Sequence, residues 1–197
     1  HFPIWHQEIE DIIVLKNNKG SEDNRVRKLD YSIQLSKLFY ERFIKNEDIT
    51  LFSPHEVPEL YEAWGTESFD DLYEKAERKT SVKKTKINAQ ELFFDILKER
   101  AETGRIYIMN IDHCNTHSSF KDRVYMSNLC QEITLPTDPI QHIDQEGEIA
   151  LCILSAINVG LINKRDELEP LCDLAVRALD EIIAVSYTHL TLPTTNS

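Results

Sequence analysis

An α/β fold is predicted, with short strands covered on both faces by helices. Stretches with a helical spacing of apolar residues alternate with short runs that are apolar throughout, the pattern of strands buried on both sides. The composition supports a packed core: 41% of the 197 residues are hydrophobic and 28% are charged, the balance of an ordinary globular domain.

The elements come in this order. Trp5 to Leu15 has a helix-like spacing, ended by Lys16-Asn17-Asn18-Lys19-Gly20. Tyr31, Leu35, Leu38, Phe39 and Phe43 fall on one face of a 3.6-residue repeat and predict a second helix, with Asp30 as its N-cap. Ile49 to Phe52 reads as a buried strand, and Pro54 and Pro58 punctuate the stretch after it. The best-marked helix runs from Asn88 to Thr103. Leu92, Phe93, Ile96 and Leu97 form its apolar face, Asn88 and Glu91 have capping-box spacing, and Gly104 stands at the C-terminal cap. Ile106, Ile108 and Ile111 suggest a strand leaving that helix. A second apolar run, Ile149 to Ile162, is expected to be buried. The last helix covers about Glu167 to Ile183, with Leu168, Leu171, Ala175, Ala178, Leu179 and Ile182 as its stripe and Pro170 in its first turn, where a missing N–H costs little. Trp5 and Trp64 are expected to be packing residues, and Cys172 buried filler on the last helix. No internal repeat is visible.

The net charge of −12 argues against a nucleic-acid partner, because phosphate contacts need clustered Lys and Arg. The basic run from Arg78 to Lys86 is flanked by acidic stretches and reads as a solvated helix end or loop. No apolar run approaches the roughly 20 residues of a membrane span, and no secretory signal precedes the first motif. Four cysteines in this length fit a reducing compartment, so a cytoplasmic location is expected. The chain opens at His1 without a Met, which suggests an excerpt. Ala184 to Ser197 contains no Asp, Glu, Lys or Arg, and Ser186 to Thr195 resembles a translated sequencing adaptor. Residues 184–197 are therefore expected to be a non-native tail, the alternative being a natural flexible C-terminus.

The chemistry centres on Ser127-Asn128-Leu129-Cys130-Gln131-Glu132. If this segment is extended, Asn128, Cys130 and Glu132 point the same way, with neighbours roughly 7 Å apart, and Leu129 anchors from the opposite face. One face then offers an amide, a thiol and a carboxylate across the span of a sugar ring. Cys114 and His117, beside His113, have some metal-site character, but no second half with ligand spacing accompanies them and structural hydrogen bonding is expected there instead.

Several blocks, in order, resemble the central part of class I ribonucleotide reductase large subunits, those of the bacterial aerobic enzyme in particular. They are Val14 to Asn18, Asn24 to Arg27, Glu47 to Pro54, Thr103 to Ile108, Asn110 to His117, Ser127 to Ile133 and Gly147 to Cys152. The resemblance runs to about Ile183. It implies that residues 1–183 are the central, incomplete part of a ten-stranded α/β barrel, with a finger loop carrying the radical cysteine into its middle. By resemblance Cys130 is that cysteine and takes the 3′ hydrogen of a nucleoside diphosphate. Glu132 is the base on the 3′ hydroxyl, Asn128 orients the sugar hydroxyls, and Asn128, Leu129 and Glu132 contact substrate. Cys152 is one member of the reducing cysteine pair, whose partner is expected outside this chain.

The resemblance also implies no cofactor or metal within these residues. The radical comes from a metal-containing small (beta) subunit, and an external dithiol such as thioredoxin or glutaredoxin restores the cysteine pair. ATP and deoxynucleotide effectors bind regions absent here, and large subunits form a homodimer. Alone, these residues are expected not to turn over, because the phosphate-cradling loop, the radical-relaying tyrosines and the terminal cysteines are missing. Two other readings are an adenosylcobalamin-dependent ribonucleotide reductase, which shares the Asn-x-Cys-x-Glu pattern, and a non-catalytic α/β interaction module whose cysteines are merely buried.

Overall fold

The computed structural model describes residues 1–138, 140, 142 and 147–189. They form two compact units, His1–Ile149 and the residues from Ala150 onward. In chain order the first unit holds β1 (Phe2–Pro3), α1 (Ile9–Ile13), β2 (Ser32–Leu35), α2 (Lys37–Lys45), β3 (Asp48–Phe52), α3 (Pro58–Ala63), α4 (Phe69–Arg78), β4 (Lys84–Asn88), α5 (Ala89–Thr103), β5 (Tyr107–Asn110) and α6 (Ile111–Thr116). The second holds α7 (Leu168–His189), preceded by short 3₁₀ turns at Val159–Leu161 and Arg165–Glu167.

The α/β class holds. β1, β2 and β5 form a parallel sheet with β2 in the centre, pairing Phe2 with Ile33 and Ile33 with Ile108. β3 and β4 form an antiparallel pair, in register from Asp48 opposite Asn88 to Phe52 opposite Lys84. The two are stitched together where Phe52 N–H donates to the Trp5 carbonyl and Gln7 N–H to the Phe52 carbonyl, both at 2.8 Å. Among the described residues the sheets are open, and no closed barrel forms.

Several elements differ from expectation. The helix expected from Tyr31 is a strand over Ser32–Leu35 followed by a separate helix, because Ser36 breaks the run: its extended backbone and its hydroxyl, accepting from Phe39 N–H, cap α2. Asp30 caps nothing and instead pairs with Lys16 at 2.6 Å. Only Ile9–Ile13 of the first expected helix is helical, since the segment before it is held as a bridge to β3. The end of the basic run is a strand, β4, whose lysines alternate along a half-exposed edge. Ile111 belongs to α6 and not to β5. By contrast, α5 starts and stops as expected: Asn88 Oδ1 accepts from Gln90 and Glu91 N–H, and Gly104 closes the helix at φ 65°.

The core lies between the sheets and their helices. Trp5, Trp64, Phe69, Tyr73 and Phe52 form a chain of ring contacts with centroids 4.6–6.4 Å apart. Both tryptophans are packing residues, 1% and 3% exposed. A second aromatic group, Phe39, Phe43 and Phe93, joins α2 to α5.

In the second unit the Ile149–Ile162 expectation fails from Ala150 on, as it does at Ile149 at the end of the first. The stretch has no strand, and Ile149, Leu154 and Leu161 are 74–77% exposed. Among the described residues no strand pairs with it, so its backbone has no ladder to join. α7 continues to His189, beyond the expected end at Ile183, and Cys172 on it is exposed, not buried. Residues 190–197 of the expected tail lie outside the described residues.

One ion pair joins α4 to β3 and α2. Arg42 makes a two-pronged contact with Glu77 at 2.6 Å, and Thr50 Oγ1 donates to the same carboxylate at 2.6 Å. Burial pushes the Glu77 carboxyl up, but the Arg42 and Thr50 hydrogen bonds and the Arg42 charge outweigh it and hold its pKa below the ordinary glutamate value. The stability this supplies is fully present above that ordinary value and is lost as pH falls through the depressed one. Glu77→Gln is expected to cost about 2 kcal/mol at neutral pH. In urea denaturation the difference from the parent should shrink as pH falls below the ordinary glutamate value and close only once the depressed one is passed.

Candidate active site

The Cys130 segment is a tight loop with a fixed root. The root is held by side chains from four elements or connections. Gln34, on the buried central strand, donates from Nε2 to the Tyr125 carbonyl at 2.8 Å and accepts at Oε1 from the Trp64 indole N–H at 2.8 Å. Ser32, two residues earlier on the same face of β2, contacts the His1 ring, which in turn contacts the Ser127 carbonyl at 3.1 Å. Asn115 in α6 accepts from Val124 N–H at 2.9 Å and donates to the Val124 carbonyl at 3.0 Å. Arg123 donates to the carbonyls of Glu62 in α3 and of Trp64 just after it, and its guanidinium lies over the Tyr125 ring at 4.4 Å.

The tip is a turn, not the extended strand expected. Gln131 N–H donates to the Asn128 carbonyl at 3.2 Å, which places Leu129 and Cys130 at the two central positions. Gln131 is in the left-handed region at φ 66°, an uncommon conformation for a residue with a Cβ. Asn128 closes the loop from both ends. Its N–H donates to the Ile133 carbonyl at 3.3 Å, and its Oδ1 accepts from Ile133 N–H at 3.0 Å. The alternation of faces that holds in a strand therefore does not apply. Asn128, Leu129, Cys130 and Glu132 do share one short loop. Asn128 is half-buried, while Leu129, Cys130 and Glu132 are exposed.

Two clefts flank the loop at the carboxyl ends of the parallel strands, the usual position for ligands in open α/β sheets. One, of about 340 Å³, is lined by Asn110, His113, Cys114, His117, Gln131 and Thr134. Burial pushes the Cys114 thiol up, away from the reactive thiolate. His113 and His117 meet edge to face with ring centroids 5.4 Å apart, and the His117 ring contacts the His113 carbonyl. Among the described residues no group of three or more His, Cys, Asp or Glu is placed to hold a metal ion. The other cleft, of about 560 Å³, is lined by Lys37, Gly65, Asp70, Asp112, Asn115 and Arg123. Burial raises the carboxyls of Asp112 and Asp70, the first against a hydrogen bond from Lys37 N–H at 2.6 Å, the second with Asp112 and Glu41 adding to the rise.

Cys152 belongs to the second unit. It is exposed in an irregular stretch, and among the described residues no strand is hydrogen-bonded to it. Sequence reasoning finds the tip and misses the root: it does not single out Gln34, Asn115, Arg123 or Gly65. A signal for Gln34 is present, since Ser32-Ile33-Gln34-Leu35 alternates polar and apolar as a strand does.

A family model described as the ribonucleotide reductase barrel domain matches residues 1–196. The chain is 54% identical over 188 residues to the ribonucleoside-diphosphate reductase subunit alpha of Buchnera aphidicola from Schizaphis graminum, covering 92% of this chain and 25% of that protein. It is 56% identical over 189 residues to the subunit of the same name from Haemophilus influenzae, covering 93% and 25%. It is 55% identical over 144 residues to ribonucleoside-diphosphate reductase 1 subunit alpha of Escherichia coli K12, covering 71% and 19%. The chain thus spans about a quarter of the length of the curated relatives it matches. With the match running from the first strand through the Cys130 loop and α7, the chain belongs to the ribonucleotide reductase barrel-domain family.

Proposed function

We propose that this chain is part of the alpha subunit of a ribonucleoside-diphosphate reductase, and that Cys130 is its radical-bearing thiol. The observation that carries the reading is the loop: within a chain of this family, a cysteine stands exposed at the apex of a turn whose root is bonded to the buried sheet. A thiol so placed can reach a substrate while its backbone stays fixed, as positional catalysis requires.

In this reading a sulfur radical at Cys130 breaks the C3′–H bond of a nucleoside diphosphate, forming the S–H bond and a C3′ radical. The Glu132 carboxylate takes the 3′-hydroxyl proton. The C2′–O bond breaks, and the hydroxyl leaves as water after protonation by a thiol of a cysteine pair. The pair then delivers a hydrogen to C2′, forming the new C2′–H bond, and with two electrons given up becomes a disulfide; Glu132 returns its proton to the 3′ oxygen, and C3′ recovers its hydrogen from Cys130, which restores the sulfur radical. Glu132 suits its role as an exposed carboxylate two residues from the thiol. Asn128 has one amide end committed to the loop, because its Oδ1 holds Ile133 N–H. Its Nδ2 hydrogens are then the part offered to the sugar hydroxyls. Leu129, beside Cys130 at the apex and 52% exposed, provides apolar contact for the substrate.

Cys152 is proposed as one member of the reducing pair, with its partner elsewhere in the protein. Two further proposals come from the family: a radical-generating beta subunit supplies the oxidising equivalent, and an external dithiol of the thioredoxin type re-reduces the disulfide. Completion of the barrel around the loop, pairing of alpha subunits into a dimer, nucleotide effectors bound outside these residues and a cytoplasmic setting belong to the same reading. No helix among the described residues is long and apolar enough to cross a membrane.

In the full-length protein, Cys130→Ser is expected to abolish deoxynucleotide formation with the thermal transition unchanged. Retained turnover would remove the radical assignment. Cys152→Ser is expected to stop sustained turnover with a dithiol reductant while still permitting radical transfer to substrate. A normal steady state in that variant would refute the redox role.

A further inference from the structure

We infer that Asn115 is a positioning residue for Cys130, acting through the backbone of Val124, and that Gly65 is what allows it to reach. The inference rests on the reading of Cys130 as the reacting group.

A carboxamide is unusual in carrying a donor and an acceptor side by side in one plane, as a strand backbone does. Asn115 uses both on one residue. Its Oδ1 takes the Val124 N–H at 2.9 Å and its Nδ2 gives to the Val124 carbonyl at 3.0 Å, so Val124 is bonded as if paired in a sheet. The second Nδ2 hydrogen goes to the Ile111 carbonyl at 3.1 Å, one turn back on α6, which fixes the side chain's own orientation. Val124 is fully buried, so its two backbone groups have no water to turn to if the amide is withdrawn. Val124 lies six residues before Cys130, between Arg123 and Tyr125, which are bonded to the chain around Trp64 and to Gln34. The loop tip therefore swings from a point that Asn115 fixes to α6.

Gly65 shows that the approach is close. It sits at φ 78°, and a Cβ built there would stand 2.9 Å from Asn115 Nδ2 and 2.6 Å from Ile111 Cγ1. The first clash is with the clasping amide itself and the second with the residue whose carbonyl orients it. Both backbone conformation and space thus exclude a side chain at residue 65.

An acid in place of the amide turns the clasp into a titratable one. Ionised, Asn115→Asp still accepts from Val124 N–H but sets an oxyanion against the Val124 carbonyl. Protonated, it donates again. The charged groups facing residue 115 are Asp112 on α6, Asp70 on α4, Lys37 on α2, and Lys121, Asp122 and Arg123 on the loop, with Glu67 before α4. The carbonyl and the acidic neighbours favour the protonated form, whereas Lys37, Lys121 and Arg123 oppose it.

The test uses the full-length protein with Asn115→Leu, Asn115→Asp and Gly65→Ala. Amide exchange of the peptide spanning residues 123–134 is read beside substrate reduction. Asn115→Leu should speed exchange in that peptide by about tenfold, with α5 unaffected. It should lower kcat by up to about 10²-fold while KM stays near the parent value, since the thiol is displaced but the substrate's other contacts are not. Gly65→Ala should act in the same direction. Asn115→Asp should be loose at neutral pH and recover protection, relative to the parent, as pH falls through the new carboxyl's pKa; Asn115→Leu should not. If Asn115→Leu does not accumulate, this pH recovery in Asn115→Asp decides the matter alone. Unchanged exchange in residues 123–134, or loosened exchange with kcat intact, overturns the inference. Activity surviving Cys130→Ser would instead overturn the reductase reading and leave the exchange result standing.

Discussion

A carboxamide in the middle of a buried parallel strand must find partners at both ends, and the first unit is arranged around the partners Gln34 finds. Its acceptor takes the Trp64 indole N–H and its donors go to the Tyr125 carbonyl and toward Met109 sulfur. Leaving either end unmade would cost roughly 1–3 kcal/mol, so Trp64 and residue 125 are both drawn to this face of β2. Trp64 then carries the aromatic chain through Trp5, Phe69 and Tyr73 that fills the core, and its carbonyl receives Arg123. Core packing and loop placement are thus one arrangement: the side chain that satisfies the strand also anchors the loop.

The opposite face of β2 is ordinary by comparison. Ile33 and Leu35 are both fully buried, 0% and 1% exposed, and pack into the apolar core. One face of the strand is thus wholly apolar, while the other carries the polar groups that join the Trp64 aromatic chain to the loop. This division explains why Ser32 and Gln34 are tolerated at 2% and 4% exposure in a central strand, where parallel sheets usually carry apolar residues throughout.

Legibility in the sequence depends on whether the signal is local. α5 is legible at both ends because Asn88 and Gly104 act within a turn of the helix they close. β3 is legible as an apolar run. The β2–α2 region misleads because Tyr31, Leu35, Leu38, Phe39 and Phe43 satisfy a helical period by coincidence across a strand and a helix, and that period hides Ser36, the cap that separates them. β4 gives little apolar signal, since Ile87 is its one apolar residue and none of its residues is fully buried. The Ile149–Ile162 run looks buried because composition records only a preference for burial, whereas burial itself needs a partner surface. At the site, Asn128, Cys130 and Glu132 are legible by their wording. The turn that carries them is not, because it depends on Gln131 at positive φ and on an Asn128 side chain folded back onto Ile133. Asn115 is hidden for a different reason. Its partner is nine residues away across a loop, and its neighbours His113, Cys114 and His117 point instead toward metal chemistry.

A sulfur radical needs two things from a protein: a fixed position and protection from water and stray hydrogen donors. The described residues supply these unequally. The root of the loop, at Val124, is fully buried and bonded through backbone and side chains, while Leu129 and Cys130 at the tip are exposed. Hydrogen bonds at the root would hold the thiol in place whatever lies over it, because they are made to α6, β2 and the α3–α4 connection and not to anything near the apex. Enclosure is a separate task, and an exposed Leu129 at 52% is the kind of apolar surface that enclosure would use. In the reductase reading, these residues contribute placement of the thiol, and the covering of its tip falls to surfaces other than those that fix it.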